Sequence, residues 1–208
     1  FYEAYNKIYA RVGIPEVVAV ASDTGMMGGS GAHEYMLLCD AGEDKIITCK
    51  ECGYSANMEV AYTNKFDVYN TEEQELKKIH TPNVKTIDSL KEFLDKDEKS
   101  MAKAVIYERI DTHQTIIVFI RADKEVNETK LRNLLKIDDE DLVPKQESKE
   151  DNITYGFVGP INLKANNAIV IYDSSLKDEK ALIAGANEKD YHYTGINILR
   201  DVGNVTFN

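Results

Sequence analysis

The sequence lacks the features that mark membrane, secreted and disulfide-stabilised proteins. No apolar run approaches the ~20 residues that a membrane-spanning helix needs. The first residues have neither the charged start nor the apolar centre of a targeting segment. The three cysteines are an odd number without a disulfide framework, which favours a reducing compartment. We therefore expect a cytoplasmic protein with no membrane partner.

An excess of positive charge is also missing. The chain has 25 Lys and Arg residues against 36 Asp and Glu residues, which gives a formal net charge of -11. Neutralising phosphate groups requires a basic surface, so the charge taken alone argues against nucleic-acid binding. The 208 residues are 43% hydrophobic, which is enough for one large domain or two small ones and argues against wholesale disorder.

No complete catalytic or metal-binding pattern is visible in the residues. There is no Ser-His-Asp order, carboxylate pair or cluster of metal ligands. Cys49 and Cys52 form a single CxxC, whereas a structural zinc site needs four ligands. Free thiols in a strand-turn-strand, or a metal shared with residues beyond this sequence, both fit. His33 and Glu34 are strand neighbours whose side chains point to opposite faces, so they do not form a dyad.

The first part of the chain predicts a helix followed by strands. Aromatic and aliphatic residues recur at helical spacing over residues 2–12, and Gly13 ends the pattern. Because Phe1 already reads as the middle of a helix, we expect the sequence to be a piece of a longer protein. The glycine-rich loop 25–31 lacks the lysine of a phosphate-binding loop, so a flexible hairpin loop and a ligand-covering loop both fit. Strands are expected at 17–21, 33–39 and 45–49.

The second part of the chain predicts alternating strands and helices. Residues 64–80 are polar, as in a connector, which divides the chain into domains 1–62 and 63–208. Thr86 is expected to cap a helix that runs to Leu94. The apolar stripe of that helix is Ile87, Leu90, Phe93 and Leu94. Strands are expected at 102–107, 115–120, 168–172 and 191–198, helices at 127–135 and 176–183, and a solvated acidic face at 137–151. The fold class is therefore α+β, without an internal repeat.

Four features of the second part combine polar groups with apolar surroundings. Lys103 lies in an apolar strand, where it is either on an exposed face or held for a purpose. Asp173 ends a buried strand and either caps the next helix or faces a site. His192, between two tyrosines, is either packed or functional. The turn from Gly156 to Pro160 either closes the backbone or directs amide groups at an anion.

One long motif carries a resemblance to a known family. Residues Ala21 to Met36 read ASDTGMMGGSGAHEYM. This run resembles the segment after motif 2 of bacterial-type prolyl-tRNA synthetases, which carry DSGxxGGSGSHEFM. That family has an inserted editing domain at this point of its chain. Further matches, in the same order, fall at 41–44, 52–57, 81–87, Lys103, 156–160, Asp173 and 185–197, so the resemblance covers essentially the whole chain.

The resemblance implies a two-part architecture. Residues 1–62 correspond to a partial class II synthetase antiparallel-sheet segment, and residues 63–208 correspond to the inserted editing domain, a mixed sheet with helices. It also implies a deacylase that hydrolyses mischarged alanyl-tRNA(Pro). Alanine is smaller than proline, and a missing methylene or two costs only ~1–3 kcal/mol, so a second, editing site is needed.

The resemblance also implies roles for individual residues. Lys103 is the essential lysine, and the amides of the turn from Gly156 to Pro160 polarise the ester carbonyl for attack by water. The expected substrate-binding residues are Thr81, Ile87, Leu90, Asp173, Gly185, Asn187 and His192, with Ile87 and Leu90 as walls around the alanine side chain. His33 corresponds to a residue of the parent enzyme's proline pocket. The general base is left open, with a tRNA ribose hydroxyl as one candidate.

Cofactors and partners follow from the same resemblance. Editing requires neither a metal nor a cofactor, whereas ATP and Mg belong to the synthetic site of the parent enzyme, which this piece does not form. The expected partners are the alanine-charged acceptor end of tRNA(Pro) and the remainder of the synthetase, which is expected to be a homodimer. The alternative is a non-catalytic module that binds the aminoacyl-tRNA end or stabilises the synthetase. An exposed Lys103 remote from any site would favour that alternative.

Overall fold

The computed structural model describes residues 1–25, 31–63 and 66–208, which form two compact units. The first unit comprises Phe1–Asn64 together with Asn127–Lys136, and the second comprises Lys65–Val126 together with Ile137–Asn208. In chain order the elements are α1 (Tyr2–Arg11), β1 (Val17–Ser22), β2 (Ala32–Leu37), β3 (Ile46–Thr48), β4 (Ser55–Asn57), β5 (Lys77–His80), α2 (Ile87–Leu94), β6 (Ala102–Arg109), β7 (Gln114–Arg121), α3 (Glu128–Leu135), β8 (Leu142–Pro144), β9 (Ala168–Tyr172), β10 (Leu182–Gly185), β11 (Tyr191–Ile196) and α4 (Ile198–Asp201).

The first unit is built on a four-stranded sheet in the order β2-β1-β4-β3. The pairs β1–β2 and β3–β4 are antiparallel, whereas β1 and β4 pair in parallel through Ala21 and Ala56. The sheet is therefore mixed, and this differs from the wholly antiparallel segment expected, because the hairpin β3–β4 returns alongside β1. The glycine motif at 26–30 lies outside the described residues.

Both helices of the first unit begin and end near their predicted positions. The predicted helix 2–12 is α1, which has no buried residue and whose Tyr5 and Tyr9 stack on Tyr35 of β2. The predicted helix 127–135 is α3, capped by the Asn127 side chain. Its contacts place it with the first unit, where Asn133 Nδ2 donates to Asp23 Oδ1 at 2.7 Å.

Among the described residues, the second unit contains two sheets that are joined by one parallel bridge. One sheet has the order β10-β11-β5, all antiparallel, and the other has the order β8-β6-β7-β9, in which only the pair β7–β9 is parallel. A parallel bridge between Met101 and Ile183 connects β6 to β10. β8 pairs with the end of β6, and β10 bridges at its start, both on the side of β6 away from β7. The order across the unit is therefore β9, β7, β6, β10, β11 and β5, with β8 beside the end of β6.

Apolar residues cover both faces of these sheets. On one face the core includes Ile117, Phe119, Leu176, Leu182 and Ile196, all fully buried. On the other face α2 covers a smaller cluster that contains Val84, Leu90, Met101, Ala122 and Ile183. Thr86 and Ser89 cap α2 reciprocally, as its predicted start requires.

Three predictions about the second unit are wrong. Phe93 is 50% exposed, because it lies at the margin of the stripe that Leu90 centres. Residues 176–183 are not helical: a 3₁₀ turn at Ser174–Leu176 leads to the buried strand β10. The acidic segment 137–151 is not merely a solvated face, since it contains β8 and the buried Asp151. The short strands β4, β5 and β8 were not predicted, because each has only three or four residues.

A buried arginine fixes the start of the second unit. The Arg121 side chain is fully buried and forms ion pairs with Asp123, Glu179 and Asp67. Glu179 also accepts hydrogen bonds from the amides of Tyr69 and Asn70 at 2.9 and 2.7 Å. Because removing one partner of a buried ion pair leaves an uncompensated charge, this network holds residues 67–70 against the sheet.

The described part of the chain contains no helix that is long and apolar enough to cross a membrane.

Candidate functional site

Strand pairing in the second unit brings four predicted residues to one face of its sheets. They form a row of Asp173, Lys103, Gly185 and His192. Paired residues on adjacent strands point to the same face, and successive residues alternate. Lys103 pairs with Ile120, and Asp173 follows Tyr172, the partner of Phe119, so Asp173 lies beside Ile120. Lys103 and Asp173 therefore share a face, two strands or roughly 10 Å apart.

The same row continues on the other side of Lys103. Lys103 and Gly185 each lie two residues beyond the bridged pair of Met101 and Ile183. Gly185 pairs with His192, and His192 pairs with Ile79. Lys103 and His192 therefore lie on the same face, on strands that flank β10.

Thr81 and His192 form a buried hydrogen-bonded pair. Thr81 Oγ1 lies 2.6 Å from His192 Nδ1, and the two residues are 0% and 4% exposed. Thr81 follows β5 directly, and its amide donates to Asp190 O at 2.8 Å. The His192 ring also packs edge-on against Phe157, with 5.6 Å between ring centroids.

Burial keeps the His192 imidazole neutral. Desolvation lowers the pKa of His192 to about 4. A neutral imidazole with this pKa accepts a proton poorly at pH 7, so His192 suits hydrogen bonding and positioning better than general-base catalysis. Its hydrogen bond to Thr81 uses Nδ1 and fixes the orientation of the ring.

The turn from Gly156 to Pro160 lies directly against the end of β10. A Cβ atom at Gly159 would overlap the Gly185 carbonyl oxygen, and one at Gly185 would overlap the Phe157 carbonyl. Two backbones can approach this closely only when both positions are glycine. The predicted Gly156–Pro160 and Gly185 elements are therefore brought together.

Asn187 clamps this turn with its whole side-chain amide. Its Oδ1 accepts from Gly159 N at 2.9 Å, and its Nδ2 donates to the carbonyl oxygens of Gly159 and Ile161 at 2.9 and 2.8 Å. Its backbone amide donates to Phe157 O at 2.8 Å. Asn187 was predicted to bind substrate, but these contacts make it a residue that positions the turn.

The hydrogen bonds of Asn187 also determine which backbone N–H groups of the turn remain free to bind a ligand. Phe157 N donates to Thr154 O, Gly159 N donates to Asn187, and Pro160 has no N–H. Within the described residues, the amides of Gly156 and Val158 donate to no other group. An anion at this turn would therefore be bound by those two N–H groups.

Lys103 is largely covered rather than exposed. Its side chain is 19% exposed, and its Nζ lies 2.6 Å from Glu125 Oε1. The Glu125 side chain is 87% exposed, so this ion pair is solvated and contributes roughly 0–1 kcal/mol. An incoming anion can therefore replace Glu125 at small energetic cost.

The other predicted residues are less directly engaged. Asp173 caps the 3₁₀ turn by accepting from Ser175 N at 2.8 Å, which matches the capping interpretation. Leu90 is 2% exposed, so of the two predicted wall residues, Ile87 alone is accessible enough to line a surface beside α2. His33 is exposed on β2 of the first unit and packs edge-on against Tyr2, and its neighbour Glu34 is exposed as well.

The sequence offered no signal for two further neighbours of the site. Glu125 comes 22 residues after Lys103, so only the pairing of β6 with β7 brings it close. The Lys85 stem lies 3.3 Å from where a Cβ at Gly156 would be, and the exposed Lys85 has no ion pair among the described residues.

Two cavities lie outside this row. One of about 670 Å³ is lined by residues that include Glu108, Lys145 and Asp151. The other, of about 310 Å³, is lined by Asn187, Ile161 and Tyr193 among others. Neither is lined by Lys103, Thr81 or His192. Among the described residues, no group of three His, Cys, Asp or Glu side chains is arranged to hold a metal ion.

Comparison with known proteins identifies the family. The model of the aminoacyl-tRNA editing domain matches residues 81–202, and the chain belongs to that family. A solved structure, the crystal structure of the hypothetical protein APE2540, has a TM-score of 0.53 at 16% identity, covering 63% of this chain and 88% of that one. At this identity the likeness shows a shared α+β fold alone.

Curated relatives over the whole chain are proline–tRNA ligases. The chain is 40% identical over 208 residues to the ligase of Persephonella marina, covering 99% of this chain and 36% of that protein. It is 40% identical over 202 residues to the ligase of Bacillus subtilis, covering 96% of this chain and 35% of that protein. The chain therefore spans about a third of the length of the relatives it matches.

Proposed function

We propose that this chain is the editing part of a prolyl-tRNA synthetase and hydrolyses alanyl-tRNA(Pro). One observation carries the proposal: in an aminoacyl-tRNA editing domain, Lys103 and the Thr81–His192 pair lie on one face of the sheet. The clamped turn at Gly156–Pro160 lies against the same strand, β10. These groups can hold an ester and stabilise negative charge as it develops.

The proposed reaction is attack of water on the ester carbonyl carbon. The amides of Gly156 and Val158 and the Lys103 ammonium stabilise the oxyanion. Because these donors are already in position, they do not have to move as the negative charge develops. The bond from the carbonyl carbon to the ribose oxygen then breaks, and the ribose takes up a proton as alanine leaves. His192 stays neutral and holds the terminal nucleoside through hydrogen bonding, while Thr81 fixes its ring.

Selection of alanine over proline is proposed to rest on the surface beside α2. Ile87 is partly buried and accessible, whereas Leu90 supports it from the core. A wall that admits a methyl group and rejects a pyrrolidine ring would exclude proline sterically. This arrangement complements a synthetic site in which one or two missing methylenes cost only ~1–3 kcal/mol.

The net charge of -11 limits how much RNA this chain can hold by itself. We infer that the remainder of the synthetase, a homodimer, binds the tRNA body, and that this chain receives only the charged acceptor end. ATP and Mg serve the synthetic site of the complete enzyme and not the editing step.

A non-catalytic module that binds the aminoacyl-tRNA end is the second candidate. The small cost of displacing Glu125 from Lys103 fits anion binding with or without catalysis. The two candidates differ in turnover: a module binds alanyl-tRNA and leaves the ester intact.

The test is deacylation by the 208-residue chain under multiple-turnover conditions. Alanyl-tRNA(Pro) should be hydrolysed well above the spontaneous rate, and prolyl-tRNA(Pro) should not. Binding of alanyl-tRNA without hydrolysis would replace the catalytic proposal with the non-catalytic one.

A further inference from the structure

Cys49 and Cys52 lie in the turn that joins β3 to β4 in the first unit. Cys49 N donates to Tyr54 O at 2.8 Å, and Gly53 N donates to Cys49 O at 3.0 Å. The second bond joins residues four positions apart and closes one turn, which brings the Cys52 thiol within hydrogen-bonding reach of the Cys49 thiol. Both thiols therefore project from the same side of one turn.

Of the three cysteines, this pair alone is within reach of a disulfide. Cα atoms at the ends of a four-residue turn lie less than about 7 Å apart, and a disulfide joins Cα atoms roughly 4.4–6.8 Å apart. Cys39 follows β2, at the opposite edge of the sheet from β3. Three strand spacings, roughly 14 Å, separate those edges.

The two thiols are accessible and differ in reactivity. Both are free, Cys52 is exposed and Cys49 is half-buried. The amides of Cys52 and Glu51, and then the Cys52 thiol, hold the pKa of Cys49 below its ordinary value. A larger thiolate fraction makes Cys49 the nucleophile and leaves Cys52 as the resolving thiol.

We propose that Cys49 and Cys52 form a thiol–disulfide exchange site that a low-molecular-weight disulfide of the glutathione class oxidises reversibly. The Cys49 thiolate attacks one sulfur of that disulfide, its S–S bond breaks, and one thiolate leaves. Cys52 then loses its proton, attacks the Cys49 sulfur and expels the second thiolate. The chain loses two electrons and two protons, and the small disulfide becomes two thiols.

The number of candidate ligands around Cys49 and Cys52 favours disulfide exchange over metal binding. A structural zinc site takes four ligands, and no group of three or more candidate ligands is found among the described residues. A disulfide needs only the two thiols that the turn already brings together. The proposal is independent of the editing site, which lies in the other unit.

The test is to incubate the reduced chain with oxidised glutathione, alkylate the remaining thiols and map the peptides by mass spectrometry. The expected product is one Cys49–Cys52 disulfide per chain, with Cys39 alkylated, and dithiothreitol should reverse it. Cys39→Ser should give the same disulfide. Cys52→Ser should accumulate a glutathione adduct on Cys49, and Cys49→Ser should react several-fold more slowly.

Three results would overturn the proposal. One is a wild-type chain that keeps glutathione on either thiol without closing the ring. Another is a disulfide to Cys39 or between two chains. The third is one zinc ion per reduced chain, bound tightly enough to protect both thiols from oxidation. The mapping on the wild-type chain decides the matter even if a serine variant fails to fold.

Discussion

Replacement of Lys103 by methionine isolates the charge of the proposed catalytic lysine. Methionine keeps most of the side-chain bulk and removes the ammonium group. The ion pair it removes is with Glu125, whose side chain is 87% exposed, so its loss costs roughly 0–1 kcal/mol. We therefore expect Lys103→Met to fold normally, with little change in the midpoint of thermal unfolding.

The effect on catalysis should be much larger than the effect on stability. A hydrogen bond to a charged group contributes about 1.5–3 kcal/mol, and a loss of that size in the transition state slows a reaction by ~10- to 100-fold or more at 1.36 kcal/mol per decade. If Lys103 stabilises the oxyanion, the decrease should fall on kcat. A rise in KM with kcat unchanged would indicate ground-state binding instead.

The assay is multiple-turnover deacylation of alanyl-tRNA(Pro) over a range of substrate concentrations, with Lys149→Met as the matched control. Lys149 is exposed, has no ion pair among the described residues and follows β8. The control variant should retain the wild-type rate. Full activity of Lys103→Met would refute the assigned role, and an equal loss in both variants would point to net charge.

Three further predictions concern the surroundings of Lys103. Asn187→Ala removes three hydrogen bonds, each worth about 0.5–1.5 kcal/mol, so urea denaturation should show a loss of ~1.5–4.5 kcal/mol and deacylation should weaken with it. Burial lowers the pKa of His192 to about 4, whereas a histidine in the unfolded chain has a pKa of ~6.5. Above pH ~6.5 the His192 term leaves the free energy of unfolding unchanged, and as the pH falls towards 4 that free energy should decrease by roughly 3 kcal/mol. In His192→Gln that part of the pH dependence of unfolding should disappear. Lys85→Met should weaken binding of a CCA-ended RNA hairpin and lower the salt slope by about one unit, and an unchanged slope would exclude phosphate contact by Lys85.

Local signals in the sequence were sufficient to predict the longer helices and strands. The cap at Thr86 and the apolar run of β7 predict α2 and β7 close to their observed bounds. By contrast, β5 has four residues in a charged segment, and its pairing with β11 comes from residues more than 110 positions away. Such strands are set by tertiary pairing rather than by local propensity.

The sequence yielded a set of candidate site residues, but not how they are arranged in space. Family resemblance indicated Lys103, the turn at Gly156 and His192 as candidates, and strand pairing puts Lys103 and His192 on one face. No pattern in the sequence predicts that Asn187 uses its whole side-chain amide to hold the turn. Nor does any pattern predict Glu125 beside Lys103, because such contacts depend on the three-dimensional path of the chain.

The most direct test of the site is to map a non-hydrolysable analogue of the terminal alanyl-adenosine, with an amide in place of the ester, onto the chain by NMR. We predict that amide shift changes will centre on Gly156 and Val158, with further changes at Thr81 and Lys103. Changes confined to the cavity beside Lys145, with the Gly156–Pro160 turn unaffected, would contradict it.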